Sequence, residues 1–167
     1  MNASDLMTAP ARSCRTTDTL ERAAQIMWDA DCGVVPVVDG DGRVVGMVTD
    51  RDICMAAYMQ GRALWLIPVA NVMAKHVYGV RETDPIDEVE ATMRHARVHR
   101  VPVLNAEGRL KGILSMNDLA RNAHRSKSHK ADGLCYDSVV ETLAAIGVSH
   151  AARARDAKDG AAAHVSG

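Results

Sequence analysis

Apolar residues recur in the first sixty residues with two different periods. Over 17–30 they fall every three or four positions, which predicts an amphipathic helix. Two β-branched runs follow, at 34–38 and 44–48, and the Asp-Gly-Asp-Gly segment that joins them is typical of a β-hairpin. Pro36 cannot donate a hydrogen bond to a neighbouring strand, so we expect it near a strand start or a sheet edge.

The same pattern returns 66 positions further along the chain, with no gap. The matched pairs include Met7 and Met73, Asp18 and Asp84, Met27 and Met93, Pro36 and Pro102, Gly46 and Gly112, and Asp52 and Asp118. One offset held over so many positions indicates two copies of one unit. In each copy a second helix follows the hairpin, and a short apolar stretch before the first helix, around Cys14 or Gly79, predicts a third strand. The predicted fold class is therefore α+β, with two β-α-β-β-α units.

The repeat also predicts the domain organisation. The first unit is expected over 1–60 and the second over 72–124, with 61–71 connecting them. The remaining residues, 125–167, are expected to contain a polar segment, one short helix over 138–146 and a disordered tail.

Composition narrows the classes of function. The net charge is −1, aromatic residues make up 3% of the chain and phenylalanine is absent, so neither a basic surface nor stacking platforms favour nucleic acid as a partner. No apolar run approaches the roughly 18 residues that a membrane helix needs, and the N-terminus does not resemble a signal peptide. Four cysteines without a CxxC pair suit reduced thiols. The expectation is a cytoplasmic protein with no membrane association.

Each copy carries an apolar-Pro-Val-apolar-Asp/Asn strand, a glycine turn, and then Gly-apolar-apolar-Thr/Ser-x-x-Asp at the start of a helix. The first copy has these motifs at 35–39 and 46–52, and the second at 101–105 and 112–118. Over about residues 4–124 the chain resembles a tandem pair of cystathionine-β-synthase (CBS) domains. The resemblance implies two units packed about a pseudo-twofold axis. It also implies an adenosine-containing ligand (AMP, ADP, ATP, NAD or S-adenosylmethionine) in the clefts between them, and a homodimer.

The resemblance assigns Thr49 and Ser115 to a ligand phosphate, and Asp52 and Asp118 to the ribose hydroxyls. The chemistry fits, because a helix start offers free N–H groups to a phosphate and a carboxylate accepts hydrogen bonds from both hydroxyls of a cis-diol. The same Thr/Ser-x-x-Asp spacing also matches a helix capping box, which needs no ligand. The two interpretations are compatible.

Three further positions distinguish the copies. Arg51 lies in a first helical turn, where a cation is disfavoured unless an anion is near, and its counterpart is Asn117. The cleft with Arg51 is therefore expected to hold more phosphate, although a solvated arginine would look the same. His99 and Arg100 resemble family positions that reach ligand phosphates, or are solvated surface residues. Gly33 and Val34 occupy the equivalent place in the first copy.

The sequence favours neither a metal site nor an enzyme. His95 and His99 are four residues apart, but no third ligand is evident. The glycines at 40, 42 and 46 are flanked by strands on both sides, so they do not form a dinucleotide-binding turn. No nucleophile with an adjacent base is discernible, which argues against slow nucleotide hydrolysis.

Two hypotheses of different classes remain. The first is a non-enzymatic sensor whose adenosine ligand changes the packing of the units or of a dimer, which an unidentified partner protein detects. The second is a structural or interaction protein with vestigial clefts. In either case the predicted helix over 138–146 is expected to contribute Val139, Leu143 and Ile146 to a homodimer contact.

Overall fold

The computed structural model describes residues 1–125 and 134–147 and contains two small three-stranded sheets, each with two helices. The first unit comprises β1 (Cys14–Arg15), α2 (Leu20–Asp29), β2 (Val34–Val38), β3 (Val44–Thr49) and α3 (Asp50–Gln60). The second comprises β4 (Val80–Arg81), α4 (Ile86–Ala96), β5 (Arg100–Leu104), β6 (Leu110–Ser115) and α5 (Met116–Arg125). The predicted α+β class and the β-α-β-β-α order are therefore confirmed.

Four short or terminal elements lie outside the two units. They are α1 (Ala3–Leu6), two 3₁₀ helices (Leu64–Leu66 and Val69–Asn71) and a C-terminal helix, α6 (Tyr136–Gly147). The helix predicted over 138–146 is thus present and begins two residues earlier. The expected polar segment lies largely, and the expected disordered tail entirely, outside the described residues.

The two sheets share one topology and one register. In each, the middle strand pairs in parallel with the two-residue strand and antiparallel with its hairpin partner. Cys14 lies opposite Val37 in the first sheet, and Val80 lies opposite Val103 in the second. The hairpin tips meet, because Arg43 forms an antiparallel bridge with Arg109, its own counterpart in the repeat. A residue paired with its counterpart marks the pseudo-twofold axis that relates the units.

Pro36 and Pro102 lie in the middle of the central strands rather than at a strand start. Met47, opposite Pro36, directs its backbone N–H and C=O away from β2, toward Ala74. Pro36 therefore forms a non-hydrogen-bonded pair, and its nitrogen faces the side on which β1 pairs only from Val37 onward. The missing N–H removes no ladder bond, which makes proline tolerable there, but the predicted position near a strand start or a sheet edge is wrong.

Each unit has its own apolar core, in which one helix face covers the sheet. In the first unit the buried side chains of α2 are Leu20, Ala23, Ile26 and Met27. They pack with Val35, Val37 and Val48 of the sheet. The second unit repeats this arrangement with Ile86, Val89 and Met93 of α4 against Val101, Val103 and Leu114. Because aliphatic residues fill both cores, the low aromatic content does not prevent close packing.

Each unit is completed by the segment that precedes the other unit. Ala3 near the N-terminus belongs to the second core, where its N–H donates to the backbone carbonyl of Asp84 at 2.9 Å. Val69 in the connecting segment belongs to the first core, where its N–H donates to the backbone carbonyl of Asp18 at 2.8 Å. This crossed packing holds the two units together. The predicted bounds of 1–60 and 72–124 follow the order of the sequence, whereas each core also includes residues from outside the bounds of its own unit.

The same segments also close the outer edges of both hairpins. Thr8 and Ile113 exchange two backbone hydrogen bonds of 2.9 and 3.1 Å, and Met47 and Ala74 exchange two of 3.0 and 2.8 Å. The bonds lie on the free sides of β6 and β3, which would otherwise be exposed edge strands. The chain therefore passes directly over the hairpins at the boundary between the units.

Helix α6 packs on its own chain with the side chains that were expected to face a dimer partner. Val139, Thr142 and Ile146 are buried against the second unit, and Arg94 of α4 donates to the Thr142 hydroxyl at 2.6 Å. The prediction that Val139 and Ile146 contribute to a dimer contact is therefore wrong. Periodicity identified the apolar face, but this face covers the second core. Leu143 points outward and is 50% exposed.

Glu90 is a buried carboxylate beneath α6. The residue is 2% exposed, and its Oε1 has no hydrogen-bond partner in the described structure. Burial raises the pKa of this carboxyl above its ordinary value of 4.5, against the opposing influence of Ser138 and Arg94. Ionisation of this carboxyl is therefore less favourable in the folded state than in the unfolded state, and the ionised form destabilises the fold.

We expect Gly46→Ala to lower the free energy of unfolding by about 1–3 kcal/mol, as overpacking does. A Cβ at Gly46 would lie 2.6 Å from Met73 Sδ and 3.1 Å from the Ala74 carbonyl oxygen, so the chain at 73–74 would have to shift. Urea unfolding measures the change. Gly40→Ala is the matched control, because a Cβ there has nothing within 4 Å. Equal stability of the two variants would contradict the close passage of the chain over β3.

We expect Glu90→Gln to be more stable than the wild type at pH 7, by about 1–3 kcal/mol for relief of an unpaired buried charge. Below the ordinary glutamate pKa both folded and unfolded wild type hold the proton, so the difference shrinks there. As pH rises, the unfolded state releases the proton first and the folded wild type loses stability. Urea unfolding at pH 4.5 and 7 measures this, with the exposed Glu88→Gln as control. A pH-independent difference would contradict the raised pKa.

Candidate functional site

Two clefts lie between the units at positions that the repeat relates. Cleft 1, of about 550 Å³, is lined by Gly33, Val34, Met47, Thr49, Asp50, Arg51, Asp52, Ala74, His76, Tyr78, Arg97, Val98, His99, Arg100 and Pro102. Cleft 2, of about 440 Å³, is lined by Thr8, Pro10, Ala11, Arg12, Ala30, Asp31, Cys32, Val34, Pro36, Arg100, Ile113, Ser115, Asn117, Asp118 and Arg121. In each, the helix start of one unit faces the segment before the middle strand of the other.

Thr49 and Asp52 form the capping box that the spacing predicted. Thr49 ends β3. The Thr49 backbone N–H and hydroxyl both donate to Asp52 Oδ2, at 2.9 and 2.8 Å. In return the Asp52 N–H donates to Thr49 Oγ1 at 3.1 Å. The other carboxylate oxygen, Oδ1, has no hydrogen-bond partner among residues 1–125 and 134–147. The capping box thus uses one oxygen and leaves the second available to cleft 1.

Ser115 and Asp118 repeat the box, with one addition. Asp118 Oδ2 accepts from the Ser115 N–H at 2.9 Å and from its hydroxyl at 2.6 Å. Its Oδ1 accepts from Arg121 Nη2, also at 2.6 Å, in an ion pair within α5. Both oxygens of Asp118 are therefore engaged, in contrast to Asp52. Since Asp118 is buried and the Arg121 side chain is 68% exposed, the arginine covers this carboxylate from the solvent side.

The two clefts differ in how their charged residues are paired. Cleft 1 is lined by Arg51, Arg97 and Arg100 and by two aspartates, Asp50 and Asp52. Cleft 2 also has three arginines and two aspartates, but its Arg121 is paired with Asp118. The formal charge is therefore the same, whereas all three arginines of cleft 1 are free of ion pairs among the described residues.

The structure places the predicted residues in two groups. Thr49, Arg51, Asp52, His99 and Arg100 share cleft 1, so the basic residues before β5 face the capping box of the first unit. Ser115 and Asp118 lie in cleft 2.

The positions that the repeat equates with His99 and Arg100 do not behave alike. Val34 lines both clefts, whereas Gly33 lines cleft 1 and not cleft 2. A Cβ at Gly33 would lie 2.8 Å from Asp50 Oδ2, so a side chain there would require that carboxylate to shift. Sequence analysis identified the residues but not which ones share a cleft.

Tyr78 and His76 are cleft residues that the sequence analysis did not select. Their rings pack edge to face, with centroids 4.5 Å apart and planes at 74°. The apolar residues at 78–80 predicted a strand, and the strand starts only at Val80, so Tyr78 remains in the loop facing cleft 1. The repeat could have identified Tyr78 as a lining residue, because its counterpart 66 positions earlier, Arg12, lines cleft 2. Only cleft 1 among the described residues has an aromatic lining.

Three other observations bear on chemistry and location. Within the described ranges no three His, Cys, Asp or Glu side chains gather as a metal site would require. Burial raises the pKa of the Cys14 thiol to about 11, so this cysteine is not a thiolate nucleophile at neutral pH. No helix among those residues has both the length and the apolar character to cross a membrane.

Similar proteins share this architecture. The model of the CBS domain family matches the chain twice, at residues 3–58 and 69–125. Hypoxic response protein 1 of Mycobacterium tuberculosis is 34% identical over 72% of this chain and 83% of its own. A crystal structure of Hypoxic Response Protein I with two coordinated zinc ions has a TM-score of 0.67 at 34% identity and covers 72% of this chain and 98% of that one.

Two solved structures contain adenosine compounds. A CBS domain protein of Pyrobaculum aerophilum, complexed with AMP, has a TM-score of 0.64 at 29% identity, covering 71% of this chain and 90% of its own. The CBS domain pair of protein MJ0100, in complex with 5′-methylthioadenosine and S-adenosylmethionine, has a TM-score of 0.67 at 25% identity, covering 77% and 98%. With two family matches, shared topology and equivalent clefts, the chain belongs to the CBS domain family as a tandem pair.

Proposed function

We propose that the protein is a non-enzymatic regulatory module that binds an adenosine-containing ligand in its inter-unit clefts. The observation that carries this proposal is that Asp52 lines cleft 1 while only its Oδ2 takes part in the capping box. The capping box alone explains one carboxylate oxygen and leaves Oδ1 without a hydrogen-bond partner among the described residues. AMP, 5′-methylthioadenosine and S-adenosylmethionine in similar proteins support the ligand class.

In the proposed complex each part of the ligand has a chemically matched partner in cleft 1. The ribose hydroxyls donate to Asp52, because an ionised carboxylate forms the stronger, charge-assisted type of hydrogen bond. A phosphate lies at the start of α3, where the helix dipole and Arg51 favour negative charge, while the Thr49 hydroxyl hydrogen is donated to Asp52. The ring of Tyr78 offers an apolar face to the base.

The two clefts are proposed to prefer different members of this class. Cleft 1 suits ligands with more phosphate, such as ADP or ATP, because Arg51 and Arg97 line it without an ion pair among the described residues, whereas Arg121 of cleft 2 is paired with Asp118. Cleft 2 has Asn117 in place of Arg51 and suits AMP or an uncharged adenosine compound. Titration of AMP, ADP, ATP, NAD and S-adenosylmethionine into the protein would rank them.

Regulation is proposed to act through the packing of the units. A ligand that contacts both units changes their relative stability only to the extent that it binds one arrangement more tightly. A partner protein would then detect the favoured arrangement.

The four free cysteines support a reducing compartment such as the cytoplasm.

A second candidate function, assembly, is favoured by an uncovered apolar face on the first unit. Trp28 on α2 is 88% exposed and lines a groove of about 490 Å³, and Tyr58 on α3, one helical turn after the groove residue Cys54, is 82% exposed. On the second unit the equivalent helices, α4 and α5, are covered by α6. We propose that a second copy of the chain covers the exposed face, which makes the protein a homodimer.

We expect Asp52→Ala to weaken AMP binding by about 10–100-fold, the loss of charge-assisted hydrogen bonds. Isothermal titration calorimetry measures the affinity, and Asp118→Ala tests the second cleft in the same way. Asp39→Ala is the matched control, because Asp39 accepts two backbone hydrogen bonds but lies in the hairpin turn. Unchanged affinity in both cleft variants would refute the ribose assignment, and no binding of any adenosine compound to the wild type would refute the proposed function.

We expect the wild type to sediment as a dimer and Tyr58→Glu to weaken dimerisation by roughly tenfold or more, as loss of an aromatic anchor does. The side chain is exposed within one chain, so the substitution leaves the fold intact. Leu143→Glu on α6 is the control for a charge placed on another exposed apolar position. A dimer sensitive to Leu143→Glu and not to Tyr58→Glu would place the contact on α6, and a wild-type monomer would exclude assembly.

A further inference from the structure

Arg100 lies at the boundary of the two clefts and lines both of them. It is the first residue of β5 and pairs across the sheet with Ser115 of cleft 2. On the other side, its Nη1 would be 3.7 Å from a Cβ placed on Gly33 of cleft 1. One guanidinium therefore lies within reach of both proposed ligand sites.

The repeat provides no second cation at this boundary. The counterpart of Arg100 is Val34, which pairs with Thr49 in the same register and also lines both clefts. Val34 is buried and uncharged. At the two positions that line both clefts there is thus one positive charge, that of Arg100. Strict symmetry of the units would give either two charges or none.

The guanidinium of Arg100 has no charged partner within the described residues. Its guanidinium makes no hydrogen bond or ion pair there, since the ion pair of cleft 2 joins Asp118 to Arg121. Asp50, the acidic neighbour in cleft 1, forms no ion pair with it. A half-buried arginine without an anionic partner is well placed to attract a phosphate.

We propose that Arg100 couples the two clefts, so that an anionic ligand in one weakens the binding of an anionic ligand in the other. The proposal rests on the proposed adenosine-ligand function. The first phosphate draws and neutralises the guanidinium, and the second then meets both a neutralised cation and a nearby negative charge. Coupling between sites in proteins commonly changes affinity by about 5–150-fold. A ligand without phosphate has no such interaction, so its two binding steps are independent of Arg100.

Calorimetry of the wild type with AMP and with adenosine, at low ionic strength, compares the two binding steps of each ligand. The different phosphate preferences proposed for the clefts also contribute to the AMP ratio, and Arg100→Gln separates that contribution from the coupling. We expect the second AMP to bind at least about fivefold more weakly, relative to the first, than the second adenosine does. Two adenosines but one AMP per chain would be the extreme form of this result. An equal ratio of the two steps for AMP and adenosine, or a single site for both, would overturn the proposal while leaving the proposed function intact. Absence of binding by both would instead refute the function itself.

Arg100→Gln assigns the effect to this side chain. We expect the variant to bind AMP more weakly at the first step, to bind adenosine as the wild type does, and to show two AMP steps whose affinities differ less than in the wild type. Arg81→Gln, exposed on β4 and outside both clefts, controls for the loss of one positive charge. Persistence of the AMP coupling in Arg100→Gln, or its loss in Arg81→Gln, would overturn the role of Arg100.

Discussion

Backbone pairing between each hairpin and the segment that precedes the other unit is the constraint on which the rest of the structure depends. The exchanged bonds of Met47 with Ala74, and of Thr8 with Ile113, occupy the outer edges of β3 and β6. Gly46 and Gly112 lie under these crossings, where a Cβ would meet Met73 or Met7. With both edges closed in this way, the units are held face to face, and each helix start is directed at the opposite unit.

From that constraint the clefts follow as a pair, but their chemistry has diverged. The capping box is the same in both, because Thr49 and Ser115 must end a strand and start a helix. Around it, Arg51 corresponds to Asn117 and Tyr78 to Arg12, and neither exchange affects the cores. A duplicated fold can keep its structural residues and alter lining residues freely, which is how one scaffold provides two unlike sites.

The elements and their order were predictable because they depend on local periodicity and on the offset of the repeat. Helix α2 and strand β2 lie where the spacing of their apolar residues placed them. The contacts across the chain were not predictable in the same way. Nothing in the period of α6 distinguishes a face that covers Glu90 from one that meets a second copy, since both are apolar. Likewise, the motif Ser-x-x-Asp predicts the bonds of Asp118 to Ser115, but the ion pair with Arg121 depends on a rotamer choice one turn later.

That ion pair raises the question of whether cleft 2 is closed to a ligand that needs Asp118. Coulomb attraction between Arg121 and Asp118 would be large in a dry interior, but the arginine side chain is 68% exposed, and exposed pairs contribute only about 0–1 kcal/mol. At about 1.4 kcal/mol per tenfold, displacing the arginine costs a ligand less than an order of magnitude in affinity. Ribose hydroxyls can replace its hydrogen bonds to Oδ1, and the released guanidinium remains near the cleft as a potential partner for an anion. Arg121 therefore does not close cleft 2 to the proposed ligand, and the proposed difference between the clefts rests mainly on the residues assigned to phosphate.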